Sequence, residues 1–182
     1  MLDWNIDSTW TLFLDRDGVI NKRIMGGYVT SIDEFNFIDG VPEAISKFSD
    51  IFLNIFVITN QQGIAKKIMT ESNLLSIHHY MAEELKKHGG IITKCFYAPG
   101  FKNEINSIRK PSMAMGILAK NDFPMTDFKK SIMVGDTDSD ILFGKNLGMK
   151  TVRIKTEEPI SIDADYTCLS LKELSKKIYY EK

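Results

Sequence analysis

Apolar residues along the chain fall into short dense blocks separated by longer stretches in which they recur every three or four positions. The blocks are 10–14, 51–59, 91–97, 131–134 and 151–154, rich in Ile, Val, Leu and Phe. A block of that length bounded by turn residues predicts a strand buried on both faces. Residues 165–167 predict a further short extended piece, and Phe35, Phe37 and Ile38 alternate with polar neighbours as a brief extended segment. The intervening stretches predict helices. Gly40-Val41-Pro42-Glu43 opens one with proline and an acid in the first turn, and Val41, Ala44, Ile45 and Phe48 share a face. Thr70 and Glu71 open a longer one that Gly89-Gly90 closes, with Leu74, Ile77, Met81 and Leu85 on one side. Further helices are predicted over 112–120, over 141–147 ending at Gly148, and over 171–180 with Leu171 and Leu174 inward. Strand and helix alternate throughout, which predicts an α/β fold: a Rossmann-like parallel sheet with helices on both faces. No repeat, low-complexity tract or linker divides the chain, so residues 1–182 read as one domain.

In such sheets ligands bind beyond the carboxyl ends of the strands. The chemistry-bearing residues stand at those ends. The first block runs into Asp15-Arg16-Asp17-Gly18, two acids two apart before a glycine that permits a sharp turn. Such a pair suits phosphoryl transfer. One carboxylate attacks phosphorus, and the other gives a proton to the leaving oxygen and then takes one from water. A divalent cation is needed to offset carboxylate–phosphate repulsion. The second block ends in Thr59-Asn60-Gln61-Gln62-Gly63, whose hydroxyl and amides suit phosphate oxygens or a helix cap. Arg109-Lys110-Pro111 sets two cations before a helix. The fourth block ends in Gly135-Asp136, with Asp138 and Asp140 beyond. Adjacent parallel strands bring Asp15 and Asp136 together as the oxygen ligands that Mg²⁺ prefers. The acids from Asp136 to Asp140 do not make an EF-hand, because its glycine and distal glutamate are missing.

Composition changes little in this picture. The net charge of −1 gives no basic surface for nucleic acid or membrane, and no apolar stretch approaches a membrane span. Cys95 and Cys168 lack metal-ligand spacing and read as reduced buried thiols. The N-terminal residues show no basic region followed by an apolar run, so no signal peptide is expected, and a cytoplasmic location fits best. His78 and His79 are neighbours on a helix and point apart, which argues against a metal pair.

Four signals in order, Asp15-Arg16-Asp17-Gly18, Thr59-Asn60-Gln61, Arg109-Lys110-Pro111 and Gly135-Asp136 with Asp140, resemble the haloacid dehalogenase superfamily of phosphatases. Gly27-Tyr28-Val29 and the stretch 35–41 narrow the resemblance to the histidinol-phosphate and heptose-bisphosphate phosphatase family, over roughly residues 10 to 155. The resemblance implies a compact core without a large cap domain. It implies Asp15 as nucleophile and Mg²⁺ ligand, and Asp17 as general acid/base with its carbonyl on the metal. Thr59 and Lys110 would hold the transferring phosphoryl group, with Asn60 and Gln61 nearby and Arg109 on the substrate. Asp136 would complete the metal ligands, with Asp140 supporting them from behind. The loop from Arg23 to Tyr28 would line the substrate entrance. The family often carries a zinc loop before Arg-Lys-Pro. Its ligand positions here are Ala98, Gly100, Asn106 and Ile108, none a usual zinc ligand, so no structural zinc is expected.

The expected activity is a Mg²⁺-dependent phosphomonoesterase for a small sugar phosphate, with D-glycero-D-manno-heptose 1,7-bisphosphate favoured. Histidinol phosphate or another metabolite phosphate is the near alternative. A receiver-like signalling module is the alternative of another class, and Asp17, an acid able to activate water, argues against it. A non-catalytic relative and a nucleic-acid end phosphatase fit less well: all catalytic positions are filled, and no basic, aromatic-interleaved patch is present. A monomer is favoured.

Overall fold

The computed structural model describes residues 2–105 and 107–178. Six strands form one sheet: β1 (Thr11–Leu14), β2 (Asn54–Asn60), β3 (Lys94–Ala98), β4 (Ser131–Gly135), β5 (Lys150–Ile154) and β6 (Tyr166–Cys168). Their order is β3-β2-β1-β4-β5-β6, and every neighbouring pair is parallel. Five α-helices connect and flank them: α1 (Val41–Ser49), α2 (Glu71–Lys87), α3 (Ala114–Asp122), α4 (Asp138–Leu147) and α5 (Leu171–Lys177).

The side-chain period of two along each strand divides the core. Leu12, Leu14, Ile55, Val57, Ile132 and Val134 face one layer, where they pack with Ile45 and Phe48 of α1, Leu74, Ile77 and Met81 of α2, and Leu171 and Leu174 of α5. Phe13, Phe56, Ile58 and Met133 face the other layer, with Met115 and Ala119 of α3 and Phe143 of α4. Both faces are covered, which is why the central strands read as continuous apolar runs. The connections grow outward from β1 to β3 and then return to β4 on the other side of β1. The chain therefore reverses direction across the sheet between β1 and β4, and a crevice opens at their carboxyl ends. Among the described residues, no segment between strands builds a sheet or helical layer of its own over that crevice, as expected for a core without a cap domain.

Several element edges differ from the sequence reading. Residues 51–53 finish the turn out of α1, with Ile51 and Phe52 N–H donating to Phe48 O at 3.0 and 2.9 Å. Phe52 is apolar because it is buried there, outside any strand. β3 starts at Lys94, after Thr93 has paired with Ile55 through both its backbone and its hydroxyl. α4 begins three residues earlier than predicted, because Thr137 and Asp140 cap its first turn reciprocally. The segment 35–38 is extended as expected: Lys22 N–H donates to Asn36 O and Ile38 N–H to Ile20 O, which holds the loop after β1 against the body. The final helix is described to Lys177; Tyr179 and Tyr180 lie outside the described residues, as does Asn106.

Candidate active site

β1 and β4 are paired in register, Leu14 with Val134, and the Asp15 N–H donates to Val134 O at 2.9 Å. Asp15 thus lies level with Gly135, and Asp136 follows one residue beyond it on the adjacent strand end. Both acids are buried. Carboxylate oxygens of Asp15, Asp136 and Asp140 lie within 4.8 Å of one another, the one grouping of metal-ligand type among the described residues. Two glycines make the close packing possible. A Cβ on Gly18, whose φ is +96°, would fall 2.3 Å from Asp136 Oδ2, and a Cβ on Gly135 would fall 2.1 Å from Asp140 Cβ. The donor set is all hard oxygen, as Mg²⁺ requires, and the site already attracts a cation: the Arg23 guanidinium donates to Asp136 Oδ1 at 2.9 Å and to the Asp17 carbonyl at 3.1 Å. The residues present fit a divalent ion.

Lys110 enters the cluster from the loop between β3 and α3. Its Nζ donates to Asp15 Oδ1 at 2.6 Å and to Ile58 O at 2.5 Å, and pairs with Asp140 Oδ1 at 2.6 Å. Asn60 locks the backbone that carries it, accepting from Lys110 N–H at 3.0 Å and donating to Lys110 O at 3.3 Å. Asp17 has a separate set of donors: both oxygens take Arg16 Nη2, at 3.0 and 2.9 Å, and Asn21 and Gln61 each add one bond at 2.9 Å. Gln61 also donates to Thr59 Oγ1 at 2.8 Å, which leaves the Thr59 hydroxyl proton free for another acceptor. Asp15, Asp17, Thr59, Asn60, Arg109 and Lys110 line one open cavity of about 450 Å³, with Arg23, Tyr28, Lys66 and Glu158 around its mouth.

This geometry meets its counterparts among known proteins. Residues 107–167 match the model of the HAD-hydrolase-like family. D-glycero-alpha-D-manno-heptose-1,7-bisphosphate 7-phosphatase of Campylobacter jejuni is 37% identical over 91% of this chain and 94% of its own. The D-glycero-beta-D-manno-heptose-1,7-bisphosphate 7-phosphatase of Yersinia pestis is 33% identical over 92% and 94%. The chain belongs to this family of haloacid dehalogenase-like phosphatases. The fold agrees: the crystal structure of D,D-heptose 1.7-bisphosphate phosphatase from B. bronchiseptica, complexed with magnesium and phosphate, superposes with a TM-score of 0.81 at 23% identity, covering 92% of this chain and 97% of that one.

The phosphatase site is electrostatically unequal. Burial pushes the Asp15 carboxyl up to about 6, against the pull of Lys110 and with the charges of Asp140 and Asp17 adding to it. Burial, followed by the charge of Asp15, pushes Asp136 up to about 8. Burial also acts on Asp17, but Arg16, Asn21 and Gln61 outweigh it and hold that carboxyl below its ordinary value. Burial works against the Lys110 ammonium, yet Asp140 and Asp15 keep it firmly protonated.

Most of the residues singled out from the sequence line this cavity, while Asp136 and Gln61 stand outside its lining, against Asp15 and Asp17. Asn60 and Gln61 spend hydrogen bonds on Lys110, Asp17 and Thr59, so they act first as scaffold for the reacting groups. Arg23 is paired with Asp136 and Glu158. Tyr28 lines the entrance, with Lys66 Nζ 5.4 Å from its ring centre, and Arg109 donates to Gly100 O at 3.4 Å while still facing the cavity. Arg16, Asn21 and Glu158 were not recognised. Arg16 is fully buried against Asp17 and lies 3.4 Å from His78 Nε2 of α2. An arginine next to an acid carries no local sign of such burial. Asn21 had a weak sign: four residues after Asp17, it lies within one tight turn of it. Glu158 sits in a polar loop after β5 with nothing to distinguish it.

Proposed function

We propose that this chain removes the 7-phosphate of a D-glycero-D-manno-heptose 1,7-bisphosphate, with Mg²⁺ as cofactor and an aspartyl phosphate on Asp15 as intermediate. The observation that carries the reading is Asp15 itself: a buried carboxylate at the switch point of the sheet, fixed through Oδ1 by Lys110 and facing a cavity that also holds Asp17 and Thr59. The substrate comes from the relatives of Campylobacter jejuni and Yersinia pestis, whose names differ in anomer.

Mg²⁺ would be held by the Asp15 and Asp136 carboxylates and the Asp17 carbonyl, and when bound it neutralises phosphate charge at the attacking carboxylate. The Lys110 ammonium stands beside the same carboxylate and stabilises charge on the phosphoryl oxygens, with the Thr59 hydroxyl as a further donor. Asp15 attacks phosphorus through its remaining oxygen and the sugar oxygen departs. Asp17, ionised in the resting site, takes a proton from the arriving phosphate monoanion and passes it to that oxygen. The three donors around Asp17 favour the ionised product of this transfer, which makes it a strong acid at the moment of cleavage. The resulting carboxylate then takes a proton from the water that attacks phosphorus of the acyl phosphate, breaking the P–O bond to Asp15 and releasing inorganic phosphate and the free Asp15 carboxylate. Tyr28 and Arg109 line the substrate side. No helix among the described residues is long and apolar enough to cross a membrane, and we place the reaction in the cytoplasm on a single domain over 1–182.

The test is phosphate release from both anomers of heptose 1,7-bisphosphate, histidinol phosphate and common sugar phosphates, with Mg²⁺ or with chelator, and with Asp15→Asn as control. One heptose bisphosphate anomer turned over far faster than the rest, with Mg²⁺ and Asp15 both required, is the expected result. Preference for histidinol phosphate would overturn the substrate. A stable phosphoprotein without turnover would overturn the enzyme reading.

A further inference from the structure

Arg23 makes contacts that a substrate-binding arginine does not need. A single nitrogen, Nη2, donates to the Asp136 carboxylate at 2.9 Å and to the Asp17 carbonyl at 3.1 Å, joining the ends of β4 and β1. Those are two of the three groups assigned above to the divalent ion. The other nitrogen, Nη1, pairs with Glu158 from the loop after β5. Without Arg23, the cluster of Asp15, Asp136 and Asp140 has only Lys110 to balance three acids. The guanidinium is about one quarter exposed, and it stands at the foot of the Gly26-Gly27 loop, so it has room to leave.

We infer that Arg23 is a tethered counter-cation that competes with the divalent ion for Asp136 and the Asp17 carbonyl, and that Glu158 receives it at the cavity rim when the ion enters. This rests on the metal-dependent reading above. Two positive centres sharing one carboxylate repel each other, so each must weaken the other's binding, and the coupling is reciprocal. Glu158 keeps the guanidinium paired through Nη1 as Nη2 lets go, so displacement costs only the Nη2 contacts. The consequence is a site that keeps its acids compensated while empty of metal and presents a guanidinium toward incoming phosphate once metal is bound.

The experiment omits substrate. Metal-free protein is titrated with Mn²⁺, and the free ion is read by electron paramagnetic resonance at low ionic strength. Arg23→Met keeps the aliphatic stem and removes the charge; it should bind Mn²⁺ about tenfold more tightly, the weight of one charge-assisted hydrogen bond. Arg23→Lys, which keeps charge without the planar fork, should fall between and serves if the methionine variant folds poorly. Lys66→Met removes a cation from the same cavity that touches none of the acids, and it should leave Mn²⁺ affinity nearly unchanged. Equal affinity in Arg23→Met and parent, or equal tightening in Lys66→Met, overturns the inference and leaves the phosphatase reading intact. No Mn²⁺ binding by the parent overturns both.

Discussion

Lys110→Met tests how the site is held together. The ammonium has three acceptors within 2.6 Å, two of them carboxylates, and its side chain is 2% exposed. Methionine fills similar space but leaves Asp15 and Asp140 facing each other without a cation. Breaking a buried pair by removing one partner costs about 3–5 kcal/mol. Here the penalty has an outlet: Asp15, already raised by burial and opposed chiefly by Lys110, can take up a proton, which returns part of the energy as pH falls. The sign follows from linkage. A carboxyl whose folded pKa rises above its unfolded value binds more protons when folded, so its contribution falls as pH rises. The expected result from urea unfolding in chelator is a loss of about 3 kcal/mol or more at pH 8 and a clearly smaller loss at pH 5.5. Phosphate release should fall by about two to three orders of magnitude, as when one donor to a developing anion is removed. A variant within about 1 kcal/mol of the parent at pH 8 would show that Lys110 does not carry the charge balance. A loss that grew on acidification would refute the linkage.

The unmodified protein should show the same linkage. Asp15 at about 6 and Asp136 at about 8, both raised by burial, bind protons in the folded state that the unfolded chain has released, so their contribution to stability falls from about pH 4, the ordinary carboxylate range, up to about pH 6 for Asp15 and about pH 8 for Asp136. In chelator the melting temperature should therefore drop across this window, and saturating Mg²⁺ should remove most of the drop; a melting temperature that rises with pH in chelator would contradict the assignment. Gly18→Ala places a methyl 2.3 Å from Asp136 Oδ2 at a φ of +96°, so it should cost about 1–3 kcal/mol by chemical unfolding and weaken Mn²⁺ binding, whereas neutral stability would mean that the loop relaxes freely.

The sequence was most legible where local pattern and tertiary position coincide. A strand buried on both faces must be apolar throughout, so an acid next to it marks the strand end and, in a parallel sheet, the ligand edge. That argument found Asp15 and Asp136 without help from their partners. It fails where apolar character has another cause: Phe52 and Ile91 extend their blocks but lie ahead of the strands, so β2 and β3 are shorter than the apolar pattern predicts. It fails again for pairings between distant segments. Arg16 joins β1 to His78 of α2, sixty-two residues away, and Arg23 meets Glu158 across 135 residues. A charged residue that will be buried looks like one that will be solvated until its partner is known. Asn60 and Gln61 were read by their donors alone, and only the fold shows that Lys110 and Asp17 claim those donors first.

The common cause of the site's particular features is charge. Ionised together, Asp15, Asp136 and Asp140 would bring three negative charges into a region that water barely reaches, and Lys110 and Arg23 return two. Asp17 does not alter the count, because Arg16 neutralises it within its own set of bonds. One negative charge would stay uncompensated; burial and that excess charge are why Asp136 holds its proton up to about pH 8 when no metal is bound. Removing an acid would relieve the repulsion, but in the mechanism proposed above the nucleophile and the metal ligands are the acids themselves. The fold instead keeps the acids and divides the cations by permanence. Lys110 and Arg16 are buried and fixed; Arg16 helps hold Asp17 ionised, while Lys110 tempers the rise that burial imposes on Asp15. Arg23 is partly exposed and sits on a glycine-bearing loop, so the one cation able to leave is the one that touches the groups a metal needs. On this account a phosphate ester meets a compensated site only after a divalent ion has entered, which makes metal binding a condition for substrate binding as well as for chemistry.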